Sequence, residues 1–543
     1  MRIQLSRRGL AGLAGFAALV GAGAAVVHSQ SRSRITPYLE IEQVLNADLN
    51  DGDVLTYTAI GAGVNANIAT RRVQATISYN YQRRIAWQGN LNDEDVHTGL
   101  AAAQIQVVPG ALTFDAGAMA TRSHTDILTP VPNFRTADNP NLVELYSVYA
   151  GPTLSTHVGP LDVGASYRLG YVAIDDNDNV TGGGTPSIDR YGHSTIHSAA
   201  ASVGMGPGQL PFGWTVGAGW SREESDRLNA HNDSKFVRGD VVVPVGHSLA
   251  LTGGVGYETL KASQQDIRRD AAGLPIVIDG ELVADPSKPR LLAYDQSGLI
   301  WDVGVIWRPS RRTELQARVG HRYGGMTYTG SLRHKISEAY AVTASVYDNV
   351  TSFGRLLIMD MNGLPVNFQT ARRNPMSSGF GGVGGCVFGQ DPGTGACFDD
   401  ALQSINSATF RNRGASVMLS GGRGPWTYGL GASYSNRLYF APPGSGQIFS
   451  RDRLTDQSIS VQATLDRRLS RNSGLSFDGY IGWFDPGAPG AASSWGTGIT
   501  AAYQRTIFDD RVSASLAGGI YHVDSDDLDS TVASVLLGLR YSF

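Results

Sequence analysis

Only two of the 543 residues are cysteine, Cys386 and Cys397, which excludes a small fold held together by many disulfides. Charge is sparse at 17%, and a net charge of −4 supplies no basic field that could hold nucleic acid. Beyond residue 30 no stretch reaches the ~18 uninterrupted apolar residues that a membrane-spanning helix needs. The Gly-x-Ser-x-Gly nucleophile motif and the phosphate-binding P-loop are absent. What is plentiful is glycine, at 67 residues, and tyrosine, at 22, with 42% hydrophobic residues overall. That balance is too apolar for a disordered chain and too glycine-rich for a helical enzyme, and it suits many strands and turns.

Arg2, Arg7 and Arg8 precede an apolar run from Gly9 to Val27, the pattern of a secretory signal peptide over residues 1–30. Ala22-Gly23-Ala24 offers small residues for cleavage, and a second site lies nearer Ser29. Ser6-Arg7-Arg8 reads as an ordinary basic start rather than a twin-arginine signal, because a membrane barrel must cross the inner membrane unfolded. Residues 31–543 then form one domain, since a barrel grows by adding strands to a single closed sheet.

After the signal, segments of about ten residues alternate apolar with small or polar side chains, as a strand does with lipid on one face and a lumen on the other. Val73, Ala75, Ile77, Tyr79 and Tyr81 share one face; Arg72, Gln74, Thr76, Ser78, Asn80, Gln82 and Arg84 share the other. The same split recurs at 161–170 and at 475–483. Short turns are expected near 69–71, 109–110, 159–160, 206–211, 246–247, 309–310, 337–338, 421–424, 471–472 and 509–510. Between them lie longer links rich in Asp, Asn, Gly and Pro, at 88–96, 124–142, 175–190, 262–294, 351–407, 441–453 and 485–494. One strand into and one out of each short turn, with 35–46 first and 531–543 last, predicts an all-β, antiparallel transmembrane barrel of about 22 strands, within an even range of 18–24. Short turns and both termini then face the periplasm and long loops the exterior. Tyr38, Trp87, Tyr146, Tyr149, Trp214, Trp220, Trp301, Trp307, Tyr323, Tyr439 and Phe440 fall near predicted strand ends and suit interfacial girdles.

The chain ends with Val535, Leu537, Leu539, Tyr541 and Phe543 on one strand face. This resembles the C-terminal insertion signal of bacterial outer-membrane barrels, and the resemblance implies recognition of Leu537, Leu539, Tyr541 and Phe543 by the barrel assembly machinery. Three further runs, at 35–40, 147–152 and 348–355, are similar to outer-membrane proteins associated with exopolysaccharide and PEP-CTERM sorting systems. That likeness implies a setting in surface polysaccharide export and transfers no functional residue.

Cys386 and Cys397, eleven residues apart in an exported link, favour a disulfide over a metal site, because the link holds no His. His193 and His197 share a strand face that Ser194 does not, so they read as a lumen or girdle pair rather than part of a catalytic set. Asp524, Asp526, Asp527 and Asp529 make an acidic tip whose spacing fits no calcium loop. No catalytic residue, metal ligand or cofactor is expected. Lumen-facing candidates are Arg72, Arg84, Asp115, Asp162, Arg168, Asp466, Asp478 and Arg540, either bracing the wall in ion pairs or touching solute.

The expected role is passage of polar solutes, polysaccharide chains included, through the outer membrane, with a non-conducting scaffold or adhesin as the alternative. With cleavage after Ala24, about ten mature residues precede the first strand, so a large N-terminal plug is not expected. The 351–407 link, far longer than a hairpin needs, is expected to bend inward through its Gly379 to Gly385 run and constrict the channel.

Overall fold

A computed structural model describes residues 33–543 except 90–92, 125–141, 176–190, 279–280, 370–384, 403–404, 406, 443–452, 489–490, 509–510 and 527. The proposed signal peptide, with its cleavage sites, lies outside the described residues. Twenty-two antiparallel strands form one sheet: β1 Arg34–Asp48, β2 Val54–Ala69, β3 Val73–Gln88, β4 Glu94–Val108, β5 Leu112–His124, β6 Leu142–Val158, β7 Leu161–Asp175 and β8 His193–Met205. They continue as β9 Gly213–Ser225, β10 Ala230–Pro244, β11 Leu249–Gln264, β12 Leu291–Ser310, β13 Thr313–Arg322, β14 Gly325–Lys335 and β15 Tyr340–Thr351. After the longest link come β16 Thr409–Arg423, β17 Trp426–Phe440, β18 Thr455–Arg468, β19 Ser473–Asp485, β20 Ser494–Ile507, β21 Val512–Ser525 and β22 Leu528–Ser542.

Every strand pairs with its neighbours in sequence, and β1 also pairs with β22, from Tyr38↔Ser542 to Asp48↔Val532. That last ladder closes the barrel, so the sheet has no free edge strand. The pleat sorts side chains. On β1, Leu39 and Ile41 stand outward at 51% and 49% exposure, while Glu40 and Glu42 between them are buried inward. Leu537 and Leu539 on β22 continue the apolar outer face at 59% and 52%. An apolar exterior around a polar interior inverts the usual soluble arrangement and is what lipid on one side and a lumen on the other require.

The ends of the barrel differ from the sequence expectation in three ways. The β12–β13 turn is Arg311-Arg312, because β12 runs on through Ser310. Five of the eleven connections at the opposite end, 49–53, 89–93, 226–229, 323–324 and 526–527, are as short as the turns, so loop length separates the two ends less cleanly than the composition suggests. Tyr38, Tyr149 and Tyr439 are not in an outer girdle. Strand parity turns them into the lumen, where all three are buried. Glycine serves the tightest turns: Gly110, Gly159 and Gly424 adopt left-handed φ of 75°, 60° and 62°, a conformation that a Cβ strains.

Candidate functional site

The candidate site is the lumen. Its principal feature is the 352–408 segment between β15 and β16, which turns inward. The sequence Phe353-Gly354-Arg355-Leu356-Leu357-Ile358-Met359-Asp360-Met361 repeats apolar residues at helical spacing and forms helix α1, Phe353–Gly363. Phe353, Leu356, Leu357, Ile358 and Met361 are buried against the lumen-facing Leu100, Met119, Leu145, Tyr149, Val172 and Ile174 of β4–β7. Gly170 admits the helix: a Cβ there would come within 2.8 Å of Ile358 Cγ1. Five such side chains contribute about 10 kcal/mol of gross burial, an upper bound because an unfolded chain already hides part of that surface.

Polar contacts fix both helix ends. Glu223 of β9, itself buried, accepts from Ser352 Oγ, from the Arg355 backbone N–H at 3.2 Å and from Tyr191 Oη at 3.2 Å. A carboxylate from the wall thus satisfies an N–H group that the first helical turn leaves open. The Arg355 side chain donates to Ser221 Oγ at 2.8 Å and to Thr351 Oγ1 at 3.1 Å. At the other end Arg168 Nε donates to Asn362 Oδ1 at 2.9 Å.

The second half of the segment crosses to the far wall. Cys386–Phe388 pairs with Gly395–Cys397 as a small hairpin, with Cys386 opposite Cys397 and the two joined in a disulfide of S–S length 2.00 Å. The hairpin lies on lumen-facing residues of β16–β18. Cys386 N donates to Gln462 Oε1 at 3.0 Å and Gly393 N to Ser420 Oγ at 2.8 Å. Gly429 and Gly431 give it room, since a Cβ at either would meet the Phe388 ring at 2.6 Å or Cys386 Sγ at 2.5 Å. The two contact arcs, centred near β6 and β17, are about eleven strands apart in a ring of twenty-two. The segment therefore reaches from one side of the barrel to the other, a backbone diameter of roughly 40 Å at ordinary strand spacing and tilt. The Gly379 to Gly385 run credited from sequence with the inward bend lies almost wholly outside the described residues; the visible cause is the apolar face of α1.

Strand register places each candidate lumen residue. Arg84, Asp115, Arg168, Asp466, Asp478 and Arg540 have inward parity. Arg84 pairs with Glu94 at 3.0 Å, Arg168 with Asp115 at 2.6 Å, and Arg540 with Glu40 at 2.7 Å, so these cations brace the wall. Asp466 and Asp478 sit on adjacent strands, opposite Ser476 and Thr464. Arg72 lies exposed in the β2–β3 turn, outside any strand, whereas Asp162 on β7 shares the inward parity of Arg168 and meets His157 at 2.8 Å at the same rim. Several inward charges were not singled out from sequence. Arg238 reaches Asp240 and Asp302, and Arg318 binds the same two carboxylates at 2.9 and 3.1 Å. Arg437 and Asp456, each 2% exposed, pair at 2.7 Å, and Tyr439 Oη donates to Asp456 at 2.6 Å. Alternation alone could have flagged them, but only the ladder shows which face is the lumen.

His193 and His197 face outward and Ser194 inward; His197 bonds Tyr167 Oη at 2.8 Å and stacks on Trp220, a girdle arrangement. Among the described residues no cluster of three or more His, Cys, Asp or Glu is placed to hold a metal ion.

No protein-family model matches the chain, and no curated protein is similar to it in sequence. The likeness to the exopolysaccharide-associated family therefore rests on its three short runs, which fall in β1, in β6 and across the junction of β15 with α1. Solved structures with the same general architecture include the FrpB iron transporter of Neisseria meningitidis, at 11% identity and TM-score 0.45, covering 93% of this chain and 81% of that one. The closed form of the ferric-catecholate import receptor Fiu of E. coli K12 matches at 8% identity and TM-score 0.44, over 93% and 82%. The siderophore receptor PiuA of Acinetobacter baumannii matches at 8% and 0.40, over the same shares. At such identities and scores the likeness is one of barrel architecture, and nothing about this chain's cargo follows from it.

Proposed function

We propose that this protein is an outer-membrane pore for small polar solutes whose bore is set by its own 352–408 segment. The observation that supports this most directly is the anchoring of that segment on opposite arcs of the lumen wall, by α1 on β4–β9 and by the disulfide hairpin on β16–β18. An apolar outer face suits lipid, and a lumen wall rich in ion pairs, hydroxyls and amides suits water and hydrated cargo. Short saccharides belong to this cargo class; a continuous polysaccharide strand would need the segment displaced. On this reading no catalytic step is required, and the working partners are lipid and the assembly machinery that engages the last strand.

The test is conductance in planar bilayers. Deleting residues 376–400 should enlarge single-channel conductance, and thiol reduction should enlarge it more modestly. Unchanged conductance, together with labelling of the reduced cysteines on intact cells, would place the segment outside and end the proposal. A second reading, a surface scaffold or adhesin, is favoured by the 265–290 connection. It builds two small hairpins of its own, Asp266–Ile267 with Ala284–Asp285 and Val277–Ile278 with Glu281–Leu282, and exposes Leu274 and Ile278. Silent bilayers with intact barrels would favour that reading.

A further inference from the structure

Lys and Arg in the turns at the short-turn end of the barrel are confined to one flank. The turns joining β4 to β5, β6 to β7, β8 to β9 and β10 to β11 contain no Lys or Arg. From β12 round through the closure to β3 the pattern reverses. Arg311 and Arg312 form one turn, Arg467, Arg468 and Arg471 flank another, Arg71 and Arg72 a third, and the remaining turns and the start of β1 each add one or two more. Over residues 34, 71–72, 308–314, 333–338, 423, 466–471 and 505–511 the sequence has fourteen Lys or Arg against five Asp or Glu. All fourteen cations are exposed, and among the described residues only Arg308 is held in an ion pair, with Glu314 at 2.8 Å.

The surroundings of these cations distinguish a membrane surface from a soluble partner. Arg467 lies over the ring of the outward-facing Trp426, 4.8 Å from its centroid. Leu469, Phe508 and Phe543 are exposed at the same end of the barrel, Phe508 at 76%. Exposed aromatics next to the ends of membrane strands mark the depth where hydrocarbon gives way to headgroups, and a guanidinium at that depth meets phosphate oxygens that its planar fork can bind in pairs.

We propose that this basic arc binds the phosphate-bearing headgroups of acidic phospholipids in the leaflet that the short turns face. The inference rests on the membrane reading above. Acidic lipid gathers on the β12–β3 flank and not beside β4–β11, because only the former offers uncompensated guanidinium groups. Each cation near an anionic lipid surface favours binding by roughly fivefold before salt screening, so several acting together give a clear lipid preference.

The experiment uses the full chain, folded in detergent micelles and shown to migrate differently on gels before and after boiling. Retained lipid is counted by native mass spectrometry with phosphatidylglycerol or phosphatidylcholine supplied. The variant carries Arg423→Gln, Arg467→Gln, Arg505→Gln and Arg511→Gln; a control carries Lys235→Gln and Lys261→Gln, on the outer face toward the other end. Phosphatidylglycerol should be retained over phosphatidylcholine in a salt-sensitive manner, with about a tenfold or greater loss in the fourfold variant and little change in the control. Free inorganic phosphate should not displace the lipid. Equal retention of the two lipids, or undiminished phosphatidylglycerol on the fourfold variant, overturns the proposal. Capture of a soluble acidic peptide without phosphatidylglycerol overturns it in favour of a protein partner. A chain that forms no heat-modifiable barrel removes the membrane reading itself, a failure separate from loss of lipid preference by an intact barrel.

Discussion

Substituting Glu223→Gln should release α1 from the wall while leaving the barrel closed. The carboxylate accepts from three donors, Ser352 Oγ, Arg355 N and Tyr191 Oη. An amide offers one acceptor oxygen, and its NH2 must face at least one group that is itself a donor. Hydrogen bonds to a charged acceptor are worth about 1.5–3 kcal/mol each, and a buried donor left without a partner costs about 1–3 kcal/mol. Loss of one such bond and weakening of the others comes to about 3 kcal/mol, roughly a hundredfold shift between docked and released forms. The β8–β9 and β9–β10 ladders use the backbone of Glu223, through Ile196 and Asn232, and are untouched. The assay pairs limited proteolysis of the folded protein, read at the 352–408 segment, with conductance. Glu224→Gln is the matched control, because Glu224 faces outward and pairs with Arg222 at 2.6 Å. Faster cleavage and larger or noisier openings are expected for Glu223→Gln alone. If its cleavage rate and conductance match those of wild type, Glu223 does not hold the helix and the reasoning fails.

Gly429→Phe should dislodge the hairpin from the far wall, since even a Cβ would meet the Phe388 ring at 2.6 Å; conductance should rise without loss of heat modifiability. Arg437→Met leaves Asp456 buried without its cation and should destabilise the barrel by about 3–5 kcal/mol, read as a lower midpoint of thermal unfolding in detergent. A midpoint within a degree or two of wild type would show the pair to be dispensable. Removing Phe543, which is 68% exposed and whose backbone N–H donates to Pro37 O at 3.0 Å, should lower outer-membrane levels far more than removing Gly444, and equal levels would refute a role in insertion.

How much was legible beforehand depended on whether the information was local. Period-two alternation is written in each strand, so the all-β class, the strand count near 22 and the opposed faces at 73–84, 161–170 and 475–483 could be read directly. The inward parity of Arg84, Asp115, Arg168, Asp466, Asp478 and Arg540 followed from the same rule. It failed at the rim for Arg72, in the β2–β3 turn, where a strand has ended and alternation no longer fixes direction. The aromatics exposed a second limit. A tyrosine near a strand end fits a girdle by composition, yet Tyr38, Tyr149 and Tyr439 sit inside, because each belongs to the inward register.

The sequence by itself determined that this chain builds strands with one apolar face, ends in an apolar strand and carries one link too long for a hairpin. Those are properties of spacing, and spacing survives without a partner. Only the tertiary structure decided that β1 and β22 meet, which cations brace which carboxylates, and that the long link is pinned to both sides of the lumen. Each of these joins residues far apart in the chain, as Glu40 with Arg540 and Glu223 with Ser352. Such pairings come into being only once the barrel has closed and the curvature of the sheet has turned one face of every strand toward the same enclosed space.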